Sequence, residues 1–409
     1  MYLLPKPKTI KEQDGQMLLC HSTHIVMTKE VAETEMHAAK RLQEAIRQET
    51  GLILPFSVGE VREGDLSLGI AKTLPEQTYE ITIDEKGGQI SGGDGAGVLY
   101  GVETFCQIVQ QCGGILPCVQ IQDAPDMPNR GYYFDQTRGR VLKLEELKKI
   151  ADRMCRYKLN QLQLYVEHTY LFRDFSEMWR DQTPLTAEEI RELDSYCRER
   201  HIELVPSLAS FGHLCTLLST KTYGDLCEME DSWKEPFSFW NRMRYHTINV
   251  SDERSLPLIK KMIAEYMQLF SSNKFNICAD ETFCLGKYKS KKLAEERGVH
   301  RLYIDYVKEL AQFLVENGKI PMFWGDIIWN SPELMKELPE SMICLNWGYA
   351  PEQREDETRA IAQTGAVQYL CPGVCGWNQW ANLIENSYKN ITRMCGYAAK
   401  YHGIGVLNT

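Results

Sequence analysis

Residues 274–282 read Lys274-Phe275-Asn276-Ile277-Cys278-Ala279-Asp280-Glu281-Thr282. A short apolar run of strand length ends on two adjacent carboxylates. It is the fourth of eight such runs after residue 130, at 131–135, 161–166, 203–208, 274–279, 321–324, 341–345, 367–370 and 403–407. Between them lie stretches with helical spacing, at 143–156, 187–200, 256–270, 302–317 and 382–402. Repeated strand–helix alternation predicts a parallel sheet. Eight repeats over residues 130–409 suit a (β/α)₈ barrel, which typically takes about 250 residues. A doubly wound sheet is the structural alternative, but no glycine fingerprint follows any of the runs.

In a barrel of this kind the site gathers where strands end. The exits read Asp135-Gln136-Thr137-Arg138, Tyr165-Val166-Glu167-His168, Ser210-Phe211-Gly212-His213, Asp280-Glu281-Thr282, Trp324-Gly325-Asp326, Asn346-Trp347-Gly348-Tyr349 and Gly376-Trp377-Asn378-Gln379-Trp380. Seven of the eight therefore present ionisable or aromatic residues to one mouth. Carboxylates, an arginine and a histidine hydrogen-bond hydroxyls, and tryptophan and tyrosine faces cover the apolar side of a sugar ring. The chain carries no zinc-spaced Cys/His set, no phosphate loop and no serine elbow. This chemistry predicts a glycosidase with no cofactor and no metal. Taken singly, each residue has a plainer reading. Asp280-Glu281 suits a helix N-terminus, Arg138 a salt bridge to Glu167, and His213 a satisfied interior histidine.

Residues 1–125 read as a small α+β domain and 126–409 as the barrel. In the first, 24–27, 66–70 and 79–83 have strand character, and 33–50 has helical spacing with Met36, Ala39, Leu42 and Ile46 on one stripe. Gly92-Gly93-Asp94-Gly95-Ala96-Gly97 leads into an apolar helix at 98–110. A dinucleotide loop would need glycine at 100, where Tyr100 stands. The run is therefore read as a tight turn that exploits glycine's tolerance of positive φ.

Composition narrows the partners. The chain has 409 residues, 46 basic and 56 acidic, for a net charge of −10, which disfavours nucleic acid and anionic membranes. No apolar run approaches the roughly 18 residues of a membrane span, and no signal-peptide pattern follows Met1. Fourteen scattered cysteines without a CxxC pair suit a reduced, cytoplasmic protein. A small neutral substrate is the expected partner; the sequence is silent on oligomeric state.

The ordered set of motifs resembles glycoside hydrolase family 20, the β-N-acetylhexosaminidases. Asp280-Glu281 is similar to the family's catalytic pair, Arg138 to its sugar-gripping arginine, and Gly212-His213 to its Gly-His after the third strand. Trp324-Gly325-Asp326, Trp347, Tyr349 and Trp377 resemble its aromatic wall. Gly97 to Gln107, and Ile121 through Gly131, resemble its front-domain helix and the junction to the barrel. The resemblance implies exo-acting, retaining removal of terminal β-linked GlcNAc or GalNAc by substrate assistance. Glu281 would be the acid–base, Asp280 the acetamido partner and Tyr349 a donor to the acetamido oxygen. Arg138, Glu167, His213, Trp324, Asp326, Trp347 and Trp377 would bind the sugar. An ordinary retaining glycosidase using Glu167 with Glu281, and a silent sugar-binding protein, remain as alternatives. The sequence departs from the family in Asn276-Ile277-Cys278-Ala279 before the pair. It also ends at Asn408-Thr409, where a further Trp-Gly-acid motif is expected, so residue 409 is expected not to be the natural end.

Overall fold

A computed structural model describes residues 1–377 and 379–409; Asn378, part of the seventh strand exit, lies outside them. The residues cluster into two compact units. One holds Met1–Pro128 with Lys148–Asn160 and Tyr196–Ile202; the other holds Asn129–Leu147, Gln161–Ser195 and Glu203–Thr409.

The first unit is built on a seven-stranded sheet. Its strands are β1 (Thr9–Leu18), β2 (Ile25–Met27), β3 (Phe56–Val58), β4 (Leu66–Ile70), β5 (Tyr79–Asp84), β6 (Gly87–Gly92) and β7 (Ile115–Asp123). The helix Gly95–Cys112 is buried from Ala96 to Val109, as its nearly continuous apolar sequence requires. The single helix expected at 33–50 is two, Lys29–Thr34 and Met36–Thr50, because Glu35 leaves helical geometry at φ −120° and ψ 28°. The glycine run is a turn, but for a different reason from the expected one. None of Gly92, Gly93, Gly95 and Gly97 has positive φ. Instead a Cβ on Gly93 would strike the Pro75 carbonyl, and one on Gly97 the Thr78 carbonyl. Close backbone approach excludes a side chain there. Asp94 caps the helix by accepting from the Gly97 N–H at 2.7 Å,.

The second unit is a closed parallel barrel in the order β10-β11-β12-β13-β14-β15-β8-β9, which overturns the doubly wound alternative. Its strands are β8 (Asn129–Asp135), β9 (Gln161–Val166), β10 (Glu203–Leu208), β11 (Lys274–Asn276), β12 (Ile320–Trp324), β13 (Ile343–Trp347), β14 (Val367–Cys371) and β15 (Gly405–Asn408). All eight expected runs are strands. The fourth, expected over 274–279, stops at Asn276. Asn276 accepts the Cys278 N–H through Oδ1 at 2.9 Å, an Asx turn that diverts the chain. Its amide donates to Gln163 Oε1 at 3.0 Å inside the barrel. The asparagine before the acidic pair thus ends the strand and satisfies a buried polar layer at once.

Candidate active site

The exit of β11 is strained. Cys278, Ala279 and Glu281 have φ of 58°, 63° and 49°, and His213 on the β10 exit has φ 59°. Runs of left-handed non-glycine residues cost free energy and cluster at functional sites. The close approach of the two exits needs Gly212, where an added Cβ would lie 2.7 Å from the Asp280 carbonyl oxygen. This crossing sets His213 Nε2 at 3.4 Å from both Asp280 Oδ2 and Glu281 Oε2.

Charge organises this trio. Burial alone would push the His213 imidazole down, but Asp280 and Glu281 outweigh it and hold the pKa at about 10. His213 is therefore a cation at neutral pH. Burial pushes the Asp280 carboxyl up, yet His213 and Arg138 hold it below the ordinary aspartate value. Asp280 is therefore an anion. The carboxyl of Asp326, on the exit of β12, is pushed up to about 7 by burial and by the charge of Asp280. Its Oδ2 accepts the Glu281 N–H at 3.0 Å. Ligand atoms of His213, Asp280 and Glu281 lie within 4.8 Å of one another. A metal would need that imidazole neutral, whereas the carboxylates keep it protonated, so the donor set fits acid–base work better than an ion.

Arg138 is held by the exit of β8. Asp135 Oδ1 accepts the Thr137 and Arg138 N–H groups at 2.9 and 2.7 Å, and Oδ2 accepts Arg138 Nε at 2.6 Å. The guanidinium lies over the Tyr165 ring at 4.6 Å and 3.9 Å from Glu167. Glu167 is only 3% exposed. One of its oxygens accepts the Tyr165 hydroxyl at 3.0 Å and the other Arg242 Nη2 at 2.9 Å. Burial pushes the Glu167 carboxyl up, but Arg242 and Arg138 hold it below the usual glutamate value. His168 sits behind it, with Nδ1 at 3.8 Å.

The aromatic residues form a ladder. Trp347 stacks on Tyr349 at 5.1 Å, and Tyr349 meets Trp377 at 4.4 Å. Trp329, which the sequence reading did not single out, extends it against Trp347 at 5.3 Å. Trp324 is buried and edge-on to Tyr133 at 5.0 Å. Burial keeps the Tyr349 hydroxyl protonated, with its pKa above the usual tyrosine value, and Asp280 and Arg138 both act on it. The ladder and the charged trio are therefore neighbours. Trp377 is 48% exposed and Trp380 wholly so, which leaves Trp377 as the rim of the wall and Trp380 outside it. The chain end is stitched to the β14 exit, with Thr409 N–H on the Pro372 carbonyl at 2.8 Å and Val374 N–H on the Thr409 carbonyl at 2.9 Å.

Every expected site residue thus falls at the strand-exit end of the barrel. Arg242 and Met243, from the short helix Phe239–Arg244, were missed. Arg242 pairs Glu167, and Met243 Sδ accepts from Arg138 Nη1 at 3.1 Å. No periodicity marks such a loop helix; the only available signal was two basic residues, Arg242 and Arg244, in a segment with Trp240 and Phe239.

Comparison with known proteins agrees with this geometry. Residues 1–124 match the model of glycosyl hydrolase family 20, domain 2, and residues 128–401 that of the glycosyl hydrolase family 20 catalytic domain. The chain is 24% identical over 411 residues to a beta-hexosaminidase of Porphyromonas gingivalis, covering 91% of this chain and 50% of that protein. It is 26% identical over 310 residues to a beta-hexosaminidase of Vibrio furnissii, covering 68% of this chain and 48% of that protein. It spans about half the length of these curated relatives. Among solved structures, the N-acetyl-beta-hexosaminidase of Streptomyces plicatus shares the fold with a TM-score of 0.79 at 20% identity, over 100% of this chain and 85% of that one. With both family models matched in order along the chain, the protein belongs to glycosyl hydrolase family 20.

Proposed function

We propose that the chain is an exo-acting, retaining β-N-acetylhexosaminidase that removes terminal β-linked GlcNAc or GalNAc with the substrate's own acetamido oxygen as nucleophile. The observation that carries this reading is the Asp280–Glu281 pair. Two adjacent carboxylates, each 3.4 Å from one buried imidazolium, open beside the Trp347–Tyr349–Trp377 wall.

Asp280, kept anionic by His213 and Arg138, accepts the acetamido N–H and stabilises the positive charge that grows on the oxazolinium ring. Tyr349, kept as a neutral donor, holds the acetamido oxygen toward the anomeric carbon. Glu281 acts from its carboxylic-acid form: it protonates the leaving oxygen, becomes the carboxylate beside His213, and then takes a proton from the water that opens the intermediate. Family 20 enzymes are an exception to the two-carboxylate scheme of retaining glycosidases. Arg138, rigid on Asp135, binds ring hydroxyls, and Trp324 and Trp377 bound the acetamide and ring pockets. Glu167 serves behind Arg138. Its burial and its two occupied oxygens disfavour it as a nucleophile and as a direct sugar contact. Fourteen unpaired thiols suit a reducing compartment, the cytoplasm. Among the described residues no helix is long and apolar enough to cross a membrane.

The test is inhibition by a GlcNAc-thiazoline together with the configuration of the first-formed product. Tight competitive inhibition and a β product are expected; an α product, or no inhibition, contradicts substrate assistance.

A further inference from the structure

Asp326 was expected to touch sugar, yet its carboxylate is turned to the backbone of the acid–base residue. We infer that Asp326 is a positioning residue, which holds the Glu281 peptide in its left-handed conformation so that the Glu281 carboxyl reaches the glycosidic oxygen. The inference rests on the reading of Glu281 as the acid.

Four observations carry it. Glu281 has φ 49°, a conformation that costs a non-glycine residue free energy unless its surroundings impose it. Its N–H donates to Asp326 Oδ2 at 3.0 Å, a bond that anchors that peptide directly. The Asp326 loop is itself built for close approach. A Cβ on Gly325 would lie 2.8 Å from Cys344 Sγ, and the Gly325 N–H is tied to the Leu345 carbonyl at 2.9 Å. Asp326 Oδ1 is buried without a hydrogen-bond partner, although a carboxylate there costs desolvation. Such a group persists where it has work to do. The preceding peptide is clamped separately, by the Tyr303 hydroxyl donating to the Ala279 carbonyl at 3.0 Å. The two anchors hold the peptides on either side of Asp280, the second of which leads into Glu281. Glu281 and Asp326 both line a cavity of about 270 Å³, with Lys287, His300 and Asn330.

The carboxyl of Asp326 sits at about 7, so a neutral side chain is already populated there at working pH. Asparagine keeps an acceptor oxygen for the Glu281 N–H, whereas leucine, of similar shape, offers none. Asp326→Leu should lower kcat on a GlcNAc disaccharide by about 100-fold, as expected for an acid moved by about an ångström, with KM within about threefold. Asp326→Asn should return kcat to within about fivefold, on the same principle. The Glu281 amide should exchange slowly with deuterium in the native chain and in Asp326→Asn, and rapidly in Asp326→Leu. Unchanged kcat in a folded Asp326→Leu overturns the inference. So do equal losses in both variants, or a rise in KM alone, which marks a sugar contact. Should Asp326→Leu not fold, Asp326→Asn decides: retained kcat and a protected amide support the role, and a loss of more than about tenfold or a rapidly exchanging amide refutes it. If the native chain does not turn over an aryl β-GlcNAc, the functional reading fails by itself. The exchange of the Glu281 amide in Asp326→Asn still reports on the anchor.

Discussion

His213→Asn is the sharpest perturbation of the charged trio. Asparagine tolerates the left-handed conformation that His213 adopts at φ 59°,, so the change removes the cation with little backbone strain. Lifting the imidazole from 6.5 to about 10 corresponds to about 5 kcal/mol of preference for the charged form, at about 1.4 kcal/mol per tenfold change in proton affinity. The sign follows from linkage. A group raised on folding contributes stability that is fully present below its unfolded pKa and is lost as pH rises through its folded pKa. The native chain should therefore lose about 3 kcal/mol from this group between pH 6 and pH 9. In His213→Asn that component of the slope should vanish. The assay is urea unfolding at the two pH values. Catalysis should follow. Asp280 loses its main cationic partner, so the acid limb of kcat/KM moves to higher pH, and the rate falls by roughly 10²–10³-fold as for lost electrostatic stabilisation. Identical unfolding slopes in the two proteins, with an unmoved acid limb, would refute the claim that His213 is an imidazolium shared by two carboxylates.

Glu281→Gln should cost far less rate on substrates with good leaving groups than on natural glycosides, whereas Asp280→Asn should slow both by roughly 10²–10³-fold; the reverse pattern swaps their roles. Gly212→Ala places a Cβ 2.7 Å from the Asp280 carbonyl, and should destabilise by about 1–3 kcal/mol, as overpacking does, and lower kcat; calorimetry and steady-state rates read both. Tyr349→Phe should lower kcat by about 10–100-fold and leave the shape of the rate profile below pH 9 unchanged, because burial keeps the native hydroxyl protonated there; a limb below pH 9 that is present in the native profile and lost in the variant would contradict its role as a neutral donor.

The barrel was legible because most of its strands are short buried runs, and Gln161–Val166 is buried at every position. The end of β11 was not, because Ile277, Cys278 and Ala279 look like strand residues while the Asn276 side chain turns the backbone out of the ladder. In the first unit β1 escaped notice. Thr9–Leu18 is polar and largely exposed, and it takes its place by pairing with β7, more than 90 residues later. Glycine-rich β6, Gly87–Gly92, hid for the opposite reason, since its glycines admit close neighbours such as Leu66 and Phe105. At the site, Asp280, Glu281 and His213 could be found as residues but not as a trio. Their meeting depends on left-handed backbone that periodicity does not encode. Glu167 shows a complementary limit: its place at a strand exit was legible, but the guanidinium that donates to its Oε2 comes from Arg242, 75 residues away, where no spacing points to it.

The most direct measurement compares the turnover of an aryl β-GlcNAc with that of the matching aryl β-glucoside. The two substrates share leaving group and ring hydroxyls apart from the acetamido group, so the comparison isolates the nucleophile. The account predicts ready hydrolysis of the first and turnover of the second lower by several orders of magnitude, since effective molarities of well-placed intramolecular groups reach roughly 10⁵–10⁸ M. Comparable rates on the two, or turnover of the glucoside alone, would contradict it.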